Sequence, residues 1–209
     1  MRRLLLLVAL FVSPLPHAAE LGTEPMSIAF DFSEIDMRKD EHHFNGNVRI
    51  AQGAMFITSD QAVAVGASRS DRSQWTFQRN VHLQTADVDL RADTATAIVV
   101  NGAITKATVK GSLATFEQRN ASADKQALGR AGTIEYDIVR GTVQLTNDVW
   151  FSYARNEIEG AEVMYYVNEE RFVVNPRGKS QGRVNITVQP RALERPQNDP
   201  AAPQAESDR

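Results

Sequence analysis

The 209-residue sequence predicts an almost all-β chain built from repeated strand units, and three observations carry that reading. Apolar residues alternate with period two through many short segments rich in β-branched and aromatic side chains. No window carries a sustained apolar stripe at helical spacing. The strands also recur as a unit with a period of about 30 to 40 residues, the signature of a repeat architecture.

Each segment has its own reason to be a strand. Val48-Arg49-Ile50, Val81-His82-Leu83, Val88-Asp89-Leu90 and Val149-Trp150-Phe151 alternate inward and outward residues between Gly, Asn or Asp punctuation. Ile134 to Ile138 and Val184 to Val188 do the same over five residues each. Four copies of the unit align. They begin at Asn47, Asn80, Gly111 and Asp148 and kink at Ser59, Ala92, Ala131 and Gly160 before a further strand. In this alignment Ile57, Leu90, Gly129 and Ile158 share one position. Ala62, Ala95, Ile134 and Val163 share a second, and Ala64, Ala97, Tyr136 and Tyr165 a third. One face of the ribbon is therefore apolar and the other wet. Alanine lines the first two units and bulky residues the last two. The interior is expected to be narrow in one half and wide in the other, or open where the alanines sit. The same pattern also describes a filled core that needs no ligand.

The ends are read apart from this body. Met1-Arg2-Arg3, the apolar run Leu4 to Val12, the breakers Pro14 and Pro16 and the small residues Ala18-Ala19 read as a secretory signal over residues 1–19. The run is short of the roughly 20 residues that span a bilayer. Loss of Arg2 and Arg3 takes the formal net charge from −3 to −5. Residues 190–209 are rich in Pro, Gln, Ala and charge, lack aromatic and β-branched residues, and read as a disordered tail. The folded domain is expected over residues 20–189.

Composition excludes several functions. A net charge of −3 does not suit phosphate neutralisation, which argues against nucleic-acid binding. With no cysteine there is no disulfide, thiolate nucleophile or cysteine metal site. G-x-S-x-G, phosphate-loop and H-E-x-x-H motifs are missing. His42 and His43 are adjacent and so point to opposite faces of a strand. Asp87, Asp89 and Asp93 lack the glycine and terminal Glu of a calcium loop. No catalytic residue, metal site or cofactor is expected, and an enzyme is disfavoured. An open stack of strands does leave two unpaired edges, which invite strand addition. Met26 to Phe32 and Arg183 to Val188 are the strand-like segments at those ends, with Ile28, Phe30, Val184, Ile186 and Val188 as edge residues.

Several stretches resemble the OstA-like family of lipopolysaccharide-transport proteins. They are Phe44-Asn45-Gly46-Asn47-Val48-Arg49-Ile50-Ala51-Gln52-Gly53, Ala114 to Gln118, Ile158 to Val167 and Gly178 to Val188. The resemblance implies an elongated, open-ended β-jelly roll of two V-shaped antiparallel sheets. It further implies a periplasmic bridge protein that binds the lipid A part of lipopolysaccharide along its interior. The implied partners are an LptC-like inner-membrane protein at the N-terminal edge and an LptD-like outer-membrane translocon at the C-terminal edge. End-to-end homo-oligomers are a further implied assembly. Met26, Ile28, Ile50, Met55, Ile57, Phe116, Tyr136 and Ile138 are the expected lipid-lining residues. Leu113 and Phe116 have opposite parity, so one of them faces out unless a bulge intervenes. The repeat over 66–110 departs from shorter family members. Two alternatives stand beside this reading: an LptC-like anchored relative, which the breakers Pro14 and Pro16 disfavour, and a cargo-free structural β-solenoid.

Overall fold

The structure, a computed structural model, describes residues 24–122, 125–154, 156–178 and 182–188. The expected signal segment lies outside these residues, as does the expected tail. The described chain is antiparallel β-sheet, with one 3-10 turn at Val167–Glu169. Twelve strands follow in order: β1 (Ser27–Ala29), β2 (Phe32–Asp36), β3 (Glu41–Gln52), β4 (Met55–Val65), β5 (Arg72–Gln84), β6 (Val88–Val100), β7 (Ala103–Gln118), β8 (Ala127–Asp137), β9 (Thr142–Tyr153), β10 (Asn156–Tyr166), β11 (Arg171–Val174) and β12 (Asn185–Thr187). From β3 to β10 each strand pairs with its sequence neighbours, so the body is a meander of four long hairpins.

These long strands are bent in the middle. Register shifts fall between Asn45 and Val48, Gln78 and Val81, Arg91 and Thr94, Lys110 and Ala114, Arg130 and Thr133, and Gly160 and Glu162. Bulges of this kind bend a strand and add twist. In β3, β5 and β9 the bend uses two consecutive residues of positive φ, Gly46-Asn47, Arg79-Asn80 and Asn147-Asp148. Gly and Asn tolerate that conformation at least cost. Short side chains brace the bends. Asn47 Nδ2 donates to Asp31 Oδ2 at 2.8 Å, and Asn80 Nδ2 to Asp60 at 3.1 Å. The Ser112 amide donates to Asp93 at 3.0 Å, and the Ala161 amide to Asn175 Oδ1 at 3.1 Å.

The repeat unit is thus one long hairpin with a bend in each strand. Asn47, Asn80 and Asp148, read from sequence as the starts of short strands, sit instead inside continuous ones. Folding along the line of bends gives the sheet two arms, the two sheets of a V-shaped roll. The arms meet inside. An ideal Cβ on Gly129, in the first half of β8, would lie 2.4 Å from Leu145 Cδ2, in the first half of β9 and across the bend from Gly129's register row.

The alanine-lined half is not open, which corrects the sequence expectation. Ala62 and Ala95 flank Phe77 in register, and Ala64 and Ala97 flank Trp75. Phe44 stacks on Trp75 with ring centroids 5.6 Å apart. The aromatics of β3 and β5 fill the space that the alanines of β4 and β6 leave, as close packing requires. The stretch over 66–110, strands β5 and β6 with their turns and the first half of β7, is an integral part of the roll.

Candidate functional site

The candidate site is the interior and the two ends on which it opens. In one arm the pairing register builds a row that visits every strand of that arm. It runs Ile28–Ile50–Ile57–Leu83–Leu90–Phe116–Gly129–Phe151–Ile158–Ile186. In the other arm a second row runs Phe44–Ala62–Phe77–Ala95–Val109–Ile134–Leu145–Val163–Val174. With strands about 4.8 Å apart, nine intervals give the first row a length of roughly 43 Å. Its middle members are sealed from solvent, Ile57, Leu83, Leu90 and Phe151 to 0% exposure. Its two end members are open, Ile28 at 38% and Ile186 at 59%. They share the inward register of the row and are exposed because, among the described residues, no further strand pairs beyond β1 or β12.

Of the expected lining residues, Ile50, Met55, Ile57, Phe116 and Tyr136 are buried in the core. Met26 and Ile138 are half-buried and pack against it. Ile28 lies on the edge strand β1. Leu113 faces out and Phe116 in, in keeping with their opposite parity, and Leu113 lies within the bulge between Lys110 and Ala114. Leu83 and Phe151 face inward as the alternation of their segments predicts, whereas Phe44, Trp75 and Phe77 are interior residues upstream of the bends, outside the segments that the repeat alignment spans.

The edge residues Ile28, Phe30, Val184, Ile186 and Val188 are all exposed. The two edges are shorter than the sequence suggested. Met26 to Phe32 is not one strand. The chain breaks at Phe30-Asp31, where the Asp31 amide donates to Asn45 and Gly46 carbonyls at 3.2 and 3.0 Å. The edge thus follows the bend of β3, with β1 on one arm and β2 on the other. At the far end β11 and β12 divide β10 in the same way. The connection between them is clasped by Glu162, whose buried carboxylate accepts from Arg177 Nε and Nη2 at 2.9 and 2.7 Å.

Polar groups inside the roll are few and partnered. Tyr165 donates its hydroxyl to Gln118 Oε1 at 2.7 Å. Burial pushes its pKa up to about 12, helped by Tyr153 and Glu170 nearby and opposed by the Gln118 bond. Burial likewise raises the Tyr136 pKa. On the outer face His82 Nε2 lies 2.7 Å from Asp89 Oδ2. Among the described residues no cluster of three or more His, Asp or Glu could hold a metal ion. No helix among them is long and apolar enough to cross a membrane.

Fold and site together define an all-β roll with a continuous apolar interior and two unfinished edges. The chain belongs to the LptA/(LptD N-terminal domain) LPS transport protein family, whose model matches residues 28–74 and 64–171. It is 24% identical over 171 residues to the lipopolysaccharide export system protein LptA of Haemophilus influenzae, covering 82% of this chain and 80% of that one. Against LptA of Escherichia coli K12 it is 23% identical over 203 residues, covering 96% and 91%. Among solved structures, LptH of Pseudomonas aeruginosa, described as the LptA homologous periplasmic component of the lipopolysaccharide transport device, aligns with a TM-score of 0.43 and 17% identity. That alignment covers 81% of this chain and 98% of that one.

Proposed function

We propose that this protein is a periplasmic bridge that carries lipopolysaccharide from the inner to the outer membrane by holding lipid A acyl chains in its apolar interior. The row from Ile28 to Ile186 carries the reading: it is continuous across the arm and unfinished at both edges. A 12-carbon acyl chain costs roughly 10 kcal/mol to expose to water, at about 0.8 kcal/mol per CH₂. An apolar track offsets that cost without directional chemistry, so no catalytic group is called for. Met26, Ile28, Ile50, Met55, Ile57, Phe116, Tyr136 and Ile138 line the track. An LptC-like inner-membrane protein docks by strand addition on β1, and an LptD-like translocon docks on β12. A second copy of the chain fits the same edges, since two different edges on one molecule build an open chain rather than a closed dimer.

Co-elution of lipopolysaccharide with the purified protein tests this. Ile57→Asp and Tyr136→Asp should abolish binding, whereas the outward Arg49→Asp and Glu135→Gln should leave it unchanged. Circular dichroism must show folded protein in each case, because a buried unpaired carboxylate itself destabilises by several kcal/mol. Normal binding by folded Tyr136→Asp would remove the interior from consideration as the site.

A further inference from the structure

The outer face of the arm that ends in β12 carries a half-buried indole near the C-terminal end. Trp150 of β9 is the outward neighbour of Phe151, and the register sets it in a row with Arg130 on β8, Glu159 on β10 and Asn185 on β12. The Arg130 guanidinium carbon lies 4.3 Å from the ring centroid and covers one face. The indole N–H donates to Glu157 Oε2 at 3.4 Å, which fixes the edge of the ring. Arg130 comes from the β8 side, so the opposite face is turned toward β10, where Trp150 walls a cleft of about 390 Å³. That size is within the range of small-ligand sites. The cleft forms where two bends coincide. Asn147-Asp148 takes positive φ in β9, and β10 shifts register between Gly160 and Glu162. β12 pairs with β10 only as far as Glu159 and β11 takes over at Val163, which leaves a gap in the ladder at Gly160.

Asp148, Glu159, Arg183 and Asn185 complete the lining. None of these four side chains makes a hydrogen bond or ion pair among the described residues. Elsewhere on the same outer face the charges are used up, with His82 and Arg91 both on Asp89. A bound anion would meet two carboxylates, and a bound cation would meet Arg183. A sugar ring suits the whole set. Its hydroxyls donate to carboxylates and accept from guanidinium and amide N–H groups, its bonds to charged partners are the stronger kind, and its C–H face packs on an indole. We propose that this cleft is a glycan subsite, which seats one hexopyranose on the free face of Trp150 while Asp148, Glu159, Arg183 and Asn185 hold its hydroxyls. It lies behind the Phe151–Ile158–Ile186 end of the interior row, on the outer side of the same strands, and goes beyond the lipid-carrier reading because it takes sugar and not acyl chain. Two glycans carry such a ring, the oligosaccharide of lipopolysaccharide and the N-acetylglucosamine polymer of the cell wall.

The chain has two tryptophans, and Trp75 is buried against Phe44. A Trp75→Phe protein therefore reports on Trp150 alone. It is titrated with the lipid-free oligosaccharide that mild acid releases from lipopolysaccharide, and separately with N-acetylglucosamine tetramer. At least one of the two should shift the emission to the blue and saturate, and the one that does so names the source. Glu159→Ala in that background should raise the half-saturation concentration about fivefold or more, through loss of a charged hydrogen-bond partner. Arg91→Ala, on the same face but away from the cleft, should leave it unchanged. Saturation-transfer NMR reads the same binding on the parent with both tryptophans in place, and folded Trp150→Leu should lose that signal. Emission unmoved by either sugar at millimolar concentration, or a titration that Glu159→Ala leaves unaltered, would overturn the subsite. Neither probe carries an acyl chain, so that failure leaves the carrier reading standing. A parent with which no lipopolysaccharide co-elutes would remove the carrier reading and leave the cleft untouched.

Discussion

Tyr165 concentrates the chemistry of the interior in one side chain. It packs against Phe116 and Phe151 with centroids 5.9 and 5.5 Å away, and its hydroxyl is committed to Gln118. Because burial raises its pKa to about 12, from an unfolded value of about 10, the neutral form is favoured in the fold. The stabilisation it lends is complete below about pH 10 and is lost as pH rises through about 12. The parent's thermal midpoint is therefore expected to fall across that window, with Tyr136 contributing in the same direction. Tyr165→Phe should flatten the fall, which melts at a series of alkaline pH values would read. A parent and a Tyr165→Phe protein with the same alkaline profile would remove Tyr165 as the cause. Gly129 is the complementary residue, since it is the gap in the apolar row into which Leu145 fits. Gly129→Val should destabilise by about 1–3 kcal/mol through overpacking, measurable by urea unfolding.

Among the elements, the bends decide the shape. β5 stays one strand through Arg79 and Asn80, although both have positive φ. Glycine adopts that conformation freely and a β-branched residue does not. Asn80→Gly is expected to stay within about 1 kcal/mol of the parent, its cost coming from the lost Asn80–Asp60 bond. Asn80→Val should lose about 1–3 kcal/mol. Equal midpoints for the two variants in denaturant would mean that the bend is not held by backbone conformation. The clasp on the other edge works by charge. Glu162 is buried against an exposed Arg177, and Arg177→Met leaves the carboxylate short of two donors. A loss of about 1–3 kcal/mol is expected, together with weaker protection of the β12 amides from hydrogen exchange.

At the scale of the whole molecule, the two ends differ in character and so set a direction. The N-terminal end exposes Phe30, Phe32, Ile35 and Met37, and the C-terminal end Val184, Ile186 and Val188. Ile186 points along the inward row, so Ile186→Lys places a charge where a following strand would continue the interior. Inward-pointing charge is a known means of blocking edge pairing. End-to-end association, followed by sedimentation over a concentration series, should be lost in Ile186→Lys while the monomer stays folded. Unchanged association would place the joint elsewhere.

Local backbone alternation made much of this legible without coordinates. Period-two patterning marks the strands, and the 30- to 40-residue recurrence marks the hairpins. The alignment of Ile57, Leu90, Gly129 and Ile158 recovers one register of the interior row. Composition alone sets aside thiol chemistry and disulfides. What sequence could not decide is how the strands continue through their bends. A bulge resets parity, so Asn47, Asn80 and Asp148 read as boundaries although the ladder carries on past them. Nor could sequence show that Phe77 and Trp75 fill the alanine face, since those pairings depend on which strands become neighbours. Contact between the two arms is the extreme case. Gln118 and Tyr165 lie 47 residues apart and meet only because the sheet folds back on itself. Alternation is enforced residue by residue by the extended backbone, whereas contact between the arms is a property of the closed roll and has no local cause.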